Sequence, residues 1–444
     1  MKRRDFVKNT LGAITASYIP FSRASDIPSE IACMSRTGKM MGLKRADVAD
    51  LAKSLQRKLL LKSTPHYHQE RMLWNGLADH KLPALIAQCI DSDDVINAVN
   101  FARTHDLLVT VRGGGHGISG KAIANDALLI DLSKMSNLSA NPVTMVATAQ
   151  AGVLLRELDV GTQAHGMAVP AGVVSHTGVA GLTLGGGIGI NMRKMGLTSD
   201  NLLSVQIVTA DGKLRTASDS ENTDLFWAVR GGGGNFGIVT SFTYRMHKLD
   251  PEILSGVMVY AMDDAKGMFN RYFDYSLDAP RELSMSAAMS LKPSGEPFLM
   301  AGFQYMGPPK EGEKVLKSYR KMGKPIADLI RPKTFLRQQT LLDAGNPHGT
   351  NYYIRGRTMD EYDPDLLDVM MDRWRHSPGR HNTMRLVRFG GAIDDLAPDA
   401  TAWPHRGAKW DLELGSSWVD PALSSKNIKW GKDYWDALAP YVSN

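Results

Sequence analysis

The chain has 444 residues, 43% of them apolar and 22% charged, which is enough to bury a large core and to form two or three domains. A formal net charge of +6 is modest for this length, and no Lys/Arg block lies beyond the N-terminus, so nucleic acid is excluded as a partner. Cys33 and Cys89 form no C-x-x-C and are too few for a disulfide framework, and their positions do not fix whether they pair; His66 and His68 have no further ligand at metal spacing, so no metal is expected.

Residues 1–24 are expected to be targeting sequence. Lys2-Arg3-Arg4 precedes an apolar run, 11–20, too short to span a bilayer, and Ser22-Arg23-Ala24 offers small residues for cleavage. The pattern resembles a twin-arginine signal, which implies the twin-arginine translocation machinery as a partner and a periplasmic or secreted location. That route exports folded proteins and suits one that takes up its cofactor in the cytoplasm. A basic N-terminus with an apolar first helix is the alternative.

In the N-terminal segment 25–73, Val48, Leu51, Leu55 and Leu59 recur at three-to-four spacing and predict an amphipathic helix over 43–61. Residues 93–103 predict a second helix with Val95, Ile96, Val99 and Ala102 inward. A strand at 107–111 leads into Val111-Arg112-Gly113-Gly114-Gly115-His116-Gly117-Ile118-Ser119-Gly120. Consecutive glycines let bare N–H groups approach an anion such as a pyrophosphate. Gly115, Gly117 and Gly120 also satisfy G-x-G-x-x-G. A nicotinamide-binding turn must open a helix, however, and the next segment, 127–132, predicts another strand. His116 is either a loop histidine bonded to backbone or a nucleophile that tethers a flavin, and the local sequence leaves both open.

A strand at 145–149 and a helix at 153–165 follow. The segment 178–189 carries too many glycines for a stable helix and predicts either close backbone approach to a ligand or a tight packing bend. Residues 202–208, an Asp211-Gly212 turn and the run from Leu214 predict a hairpin. A short helix at 224–230 ends at four glycines, and a strand begins near Asn235.

After Leu249-Asp250-Pro251 the glycine loops stop. Strand-like runs at 256–261, 283–291 and 298–305 alternate with helical periods at 311–321 and 366–374, which predicts an antiparallel sheet backed by helices. In Trp410-Asp411-Leu412-Glu413-Leu414, alternation places Asp411 and Glu413 on one face and the leucines on the other. Glu413 is either a base whose pKa burial would raise or an exposed strand carboxylate. Tyr352, Tyr353 and Arg357 fall on another strand, and His405 is expected to anchor a loop.

Residues 111–120, 170–189, 193–201 and 224–240, in that order, resemble the FAD-binding domain of the berberine-bridge-enzyme type of FAD-linked oxidases, within the vanillyl-alcohol-oxidase superfamily. The resemblance implies an α+β fold: a two-part, PCMH-type FAD-binding domain over 74–250, then a substrate domain over 251–444 with its antiparallel sheet backed by helices. It implies FAD contacts at Val111, Arg112, Gly113, Gly114, Gly115, His116, Gly117, Ser119, Val174, Thr177, Gly178, Gly181, Gly186 and Gly189. Further contacts are implied at Asp200, Asn201, Gly237, Ile238 and Val239, with the backbone near Ile238 and Val239 meeting the adenine end.

His116 matches the histidine that carries covalent flavin. Val174 stands where some relatives attach the flavin a second time through cysteine, so a single bond through His116 is expected, and His176 is a weaker candidate for proton work. Glu413 matches an acid/base position, with Tyr352 and Tyr353 on the active-site wall. Relatives continue beyond the equivalent of Asn444 and return to the flavin domain, a segment this sequence is expected to lack, with some loss of packing.

The implied activity is oxidation of an alcohol, sugar or amine by hydride transfer to flavin N5, with dioxygen as acceptor giving hydrogen peroxide. The alternatives are a flavin dehydrogenase with another acceptor and an inactive, truncated flavin-binding protein.

Overall fold

Residues 27–442, except 292, 293, 380 and 381, are described by a computed structural model; the targeting segment expected over 1–24 lies outside them. Three strands buried at every position gather in one sheet. Leu85–Gln88 and Leu128–Asp131 are buried at every position, the pattern of strands covered on both faces. They form the centre of a four-stranded sheet ordered Leu59–Leu61, Leu85–Gln88, Leu128–Asp131, Val109–Arg112, in which the last three run parallel. The crossover helix, Ser92–Thr104, is capped by the Asp91 carboxylate, which accepts from Asp94 N at 3.0 Å. It buries Val95, Ala98 and Ala102, with Ile96 and Val99 packed at its edge.

Alternating strands make a second, five-stranded antiparallel sheet ordered Leu214–Ser218, Leu202–Val208, Ile238–Arg245, Val146–Gln150, Leu138–Asn141. The expected hairpin is its first pair. Its tip is longer than a two-residue turn: Val208 pairs with Leu214, and Gly212 takes a left-handed φ of 74°.

Tertiary packing overrides three local expectations. The helix expected over 43–61 spans only Arg45–Ser54, because Leu55 is extended and the Gln56 N–H donates to the Asp94 carboxylate at 2.8 Å. Leu59–Leu61 then join the apolar sheet, all three buried. The 25–73 segment also opens with a hairpin, Glu30–Met34 against Met40–Lys44, with Gly38 at a φ of 80° in its turn. Within 178–189, expected to be non-helical, Val179–Leu184 is a short helix. Glycine's helical cost of about 1 kcal/mol is offset by burial and by the Thr183 hydroxyl, which bonds Val179 O at 2.7 Å and the Tyr244 hydroxyl at 2.8 Å. Cys33 and Cys89 are buried, free thiols, and burial pushes the Cys33 thiol up to about 11.

An eight-stranded antiparallel sheet dominates the second half, with Leu283–Leu291, Thr383–Arg388, Trp410–Trp418 and Asn351–Met359 side by side and the last at an edge. The helices Ala265–Leu277, Pro309–Tyr319, Asp365–Arg375 and Ser424–Leu438 bury residues in one core with Phe303, Leu386 and Leu412. The other face turns toward the flavin half. Two small apolar clusters join the halves, one around Met192, Leu197, Val387 and Phe389, the other around Met195, Ile253, Met306 and Phe335. Buried Arg193 donates to the carbonyls of Leu283, Ala279 and Phe389, and Lys194 to Met306 O at 2.6 Å, so the halves meet through satisfied polar bridges as well as apolar contact.

A further bridge is sensitive to pH. Asp159 Oδ2 accepts from Gln339 Nε2 at 3.2 Å, while Asp159 Oδ1 and Gln339 Oε1 are buried without partners. Burial pushes the Asp159 carboxyl up to about 7, because the neutral form is the cheaper one to bury. Because the folded value is raised, the stability this group contributes is complete below about pH 4 and is lost as pH rises through about 7. Asp159→Asn stays neutral there at every pH. Its melting temperature at pH 8 is expected to exceed the parent's, by a stability increment on the order of a few kcal/mol, and the decline between pH 4 and pH 7 is expected to flatten. An unchanged pH profile would show that Asp159 is ionised in the folded protein.

Candidate active site

Strand Val109–Arg112 delivers the first glycine loop. Arg112 is buried and bidentate to Asp131, at 3.0 and 2.6 Å, and reaches Met72 O at 3.1 Å, which fixes where the strand ends. A Cβ on Gly114 would overlap the Gly178 backbone, and one on Gly178 the Gly114 backbone. The two glycine-rich segments therefore touch main chain to main chain, a contact only glycine permits. Gly113 packs on Ala151 O, Gly186 on the Trp403 ring and Gly189 on Ala171 O, whereas a Cβ on Gly117 or Gly181 would meet no atom within 4 Å. Gly115 and Gly120 take left-handed φ values of 69° and 60°.

A cleft of about 550 Å³ opens beside Arg112, Gly113 and Gly114, and a second of about 410 Å³ beside Asn75, Ser119, Gly120, Tyr352 and Tyr353. Gly178→Ala is expected to destabilise the fold by forcing the two loops apart. Gly181→Ala, in the helix Val179–Leu184, is expected to gain up to about 1 kcal/mol in stability yet bind FAD more weakly. Thermal melts paired with flavin titration separate the two effects. Equal loss of stability in both variants would contradict an open cradle at Gly181.

His116 is held as its loop leaves the nest. The Trp74 ring stacks on it, centroids 4.3 Å apart and planes 16° from parallel, and Tyr352 stacks on Trp74 at 3.9 Å and 14°. Trp74 N donates to Gly115 O at 3.1 Å. Asn75 ties the loop to the edge strand: its Nδ2 donates to Ile118 O at 2.8 Å and Tyr352 O at 2.9 Å, and its Oδ1 accepts from Tyr352 N at 2.9 Å.

On the side away from tryptophan, His116 Nε2 lies 2.8 Å from His176 Nδ1. The exposed His348 ring stands 4.9 Å from His176 and 6.1 Å from His116, and one ring nitrogen from each lies within 4.8 Å of the others. Burial, then the His176 and His348 imidazoles, push His116 down to about 3, so it is neutral at physiological pH. Burial and His176 also lower His348. The sequence ranks His176 second and gives no sign of Trp74 or His348, since a ring stack and a cluster assembled from distant segments have no spacing signature.

The sheet face above is sorted by the pleat. Gly356 and Arg385 are register partners of Glu413, and Thr358 and Val387 are those of Asp411, so all six share a face, with Tyr352 farther along it. Tyr353, Arg355 and Arg357 pair with Ser416, Leu414 and Leu412 and turn to the helical side. There the Arg355 Nε donates to the Tyr353 hydroxyl at 2.7 Å, Gly431 abuts the Tyr353 ring and the Arg357 guanidinium covers Trp435. The Tyr353 side chain therefore points to the opposite face of the sheet from Tyr352 and Glu413, because neighbours on a strand alternate, although both tyrosines border the smaller cleft. Glu413 is ion-paired with Arg385 at 3.1 Å. Asp411 is pushed up to about 7 by burial and by the Glu413 carboxylate, against the opposing pull of Arg385.

Other expected flavin positions make bonds or contacts within the protein. Asp200 is paired with buried Arg406 and accepts from Leu197 N at 3.0 Å; Asn201 Nδ2 donates to Met195 O at 2.9 Å and Leu197 O at 2.8 Å. Both brace the 195–201 turn instead of offering free polar atoms. Ile238 and Val239 are buried in strand pairing with Val208 and Ile207, and Gly237 abuts Val208 O. Val174 O accepts from Thr177 N at 3.1 Å, Thr177 O from Leu155 N at 2.9 Å, and Ser175 donates to Asp343 through its N at 2.8 Å and its Oγ at 2.6 Å. Asn191, which the sequence does not single out, is buried with both amide atoms unpartnered. Bare backbone at Gly117 and Gly181, this orphan amide and a neutral, oriented His116 fit an FAD.

Residues 83–218 match the FAD binding domain family. An FAD-linked oxidoreductase of Dictyostelium discoideum is 31% identical over 401 residues, covering 89% of this chain and 86% of that protein. The (R)-6-hydroxynicotine oxidase of Paenarthrobacter nicotinovorans is 28% identical over 284 residues, 64% of this chain and 62% of that one. Among solved structures, BBE-like 1 of Physcomitrella patens superposes with a TM-score of 0.81 at 24% identity over 89% of both chains, a likeness of fold. Sequence and fold agree, and the chain belongs to the FAD-linked oxidoreductases, in a fold shared with the BBE-like protein of Physcomitrella patens.

Proposed function

We propose that this FAD-dependent oxidoreductase is an oxidase that carries its flavin covalently on His116 and acts on a small alcohol, sugar or amine. The observation that carries the reading is His116 itself, a neutral imidazole oriented by Trp74 and His176 within a glycine cradle. FAD, when bound, supplies the hydride acceptor.

The chain supplies proton handling and orientation. Asp411 takes the proton from the substrate heteroatom, since a carboxyl with a pKa near 7 matches the working pH of a general base. Glu413 and Arg385 hold each other beside it, and Arg385 offers a polar substrate a cationic donor. The covalent bond is single, because Val174 stands where a second attachment would need a thiol.

Dioxygen is the acceptor and leaves as hydrogen peroxide, in line with the printed name of the nicotinovorans relative, an oxidase. Export through the twin-arginine machinery belongs to the same reading and rests on the N-terminal sequence. The decisive experiment is anaerobic mixing with panels of alcohols, sugars and amines while the flavin absorbance is followed, then admission of oxygen. Bleaching by one class and stoichiometric peroxide support the oxidase. Bleaching without peroxide makes it a dehydrogenase, and no bleaching by any class removes the enzymatic reading.

A further inference from the structure

Three imidazoles from three distant segments meet at the attachment point, and their burial is graded: His116 and His176 are half-buried, and His348 lies on the surface. Trp74 closes one face of the His116 ring, and the Nε2 edge is committed to His176 Nδ1 at 2.8 Å. We propose that His176 and His348 form an outlet for the proton that His116 sheds when flavin is attached to it, His176 taking the proton from Nε2 and His348 handing it to solvent. The inference rests on the covalent reading above.

The chemistry requires such an outlet. A neutral imidazole carries one N–H. If Nε2–H is donated to His176 Nδ1, the lone pair that attacks is on His116 Nδ1. Joining that nitrogen to the flavin methyl carbon replaces one C–H and the Nε2–H by a C–N bond, which releases two protons and two electrons. The electrons pass through the flavin to dioxygen, which with two protons leaves as hydrogen peroxide. A ring that kept its Nε2 proton would end as a half-buried cation, with no carboxylate among the groups that act on it. The groups facing this cluster are the two partner imidazoles, the Trp74 ring and, beside His176, the Asp343 carboxylate, which is taken up by Ser175. His176 is therefore the acceptor within reach.

The test follows attachment instead of turnover. Full-length flavin-free chain is given FAD, and covalent incorporation is timed by the fluorescence of denatured protein on a gel, while reversible binding is measured separately by flavin quenching. His176→Gln, which can accept a hydrogen bond but not a proton, is expected to bind FAD and attach it about a hundredfold more slowly, the scale of a lost general base. His348→Gln, a surface change, is expected to slow attachment roughly tenfold, and imidazole in the buffer is expected to restore it.

Attachment at the parental rate in His176→Gln overturns the proposal. If His176→Gln fails to bind FAD, His348→Gln decides: slowing with imidazole rescue supports the outlet, and parental attachment, or slowing that imidazole does not relieve, overturns it. Flavin that washes out of the parent itself after acid precipitation marks instead the failure of the covalent reading, and the outlet falls with it.

Discussion

His116→Ala is expected to abolish covalent flavin entirely. After acid precipitation, the fluorescence of the parent stays with the denatured polypeptide, and that of the variant moves wholly to the supernatant. The fold is expected to survive, because the glycine contacts, the Arg112–Asp131 pair and the Asn75 bridges do not depend on the imidazole. FAD binding persists through the backbone but becomes an ordinary equilibrium. The proposed tether would hold the flavin at a high effective concentration, so with its loss activity is expected to fall on dilution and return when FAD is added. Fluorescence that remains with the variant polypeptide would place the attachment elsewhere.

Asp411→Asn is expected to slow anaerobic flavin reduction by substrate about 10²- to 10⁴-fold while flavin content stays parental. Glu413→Gln, which breaks the ion pair with Arg385 and removes the charge that helps raise Asp411, is expected to cost roughly tenfold and to move the pH profile toward acid. The sign follows from the base's need to be ionised: the parental rate rises as pH climbs through about 7 and levels above it, and the asparagine variant is flat. A larger loss in Glu413→Gln than in Asp411→Asn would return the base to Glu413, the position the resemblance points to.

Much of the architecture was legible in the linear order of residues. The apolar run at 127–132 marked a strand, the alternation at 410–414 marked a sheet with unlike faces, and Gly113-Gly114-Gly115-His116 marked a loop suited to an anion. Where periodicity failed, a long-range contact had won. The Asp94 carboxylate ended the first helix early, and burial with the Thr183 hydroxyl bonds held a helix where glycine content argued against one. The resemblance put Tyr352 and Tyr353 together on the active-site wall, and the pleat sends their side chains to opposite faces.

The sequence by itself determined the cofactor class, through a resemblance carried by residue types at short, fixed spacing, and pointed to one glycine loop and the histidine within it. Only the tertiary structure decided which groups act on those residues. Trp74, His176 and His348 surround His116 from separate segments, and Asp411 gains its raised proton affinity from burial and from Glu413. The physical reason is that stacking, desolvation and charge coupling depend on distance in space, which chain order does not encode until the sheets and loops have packed.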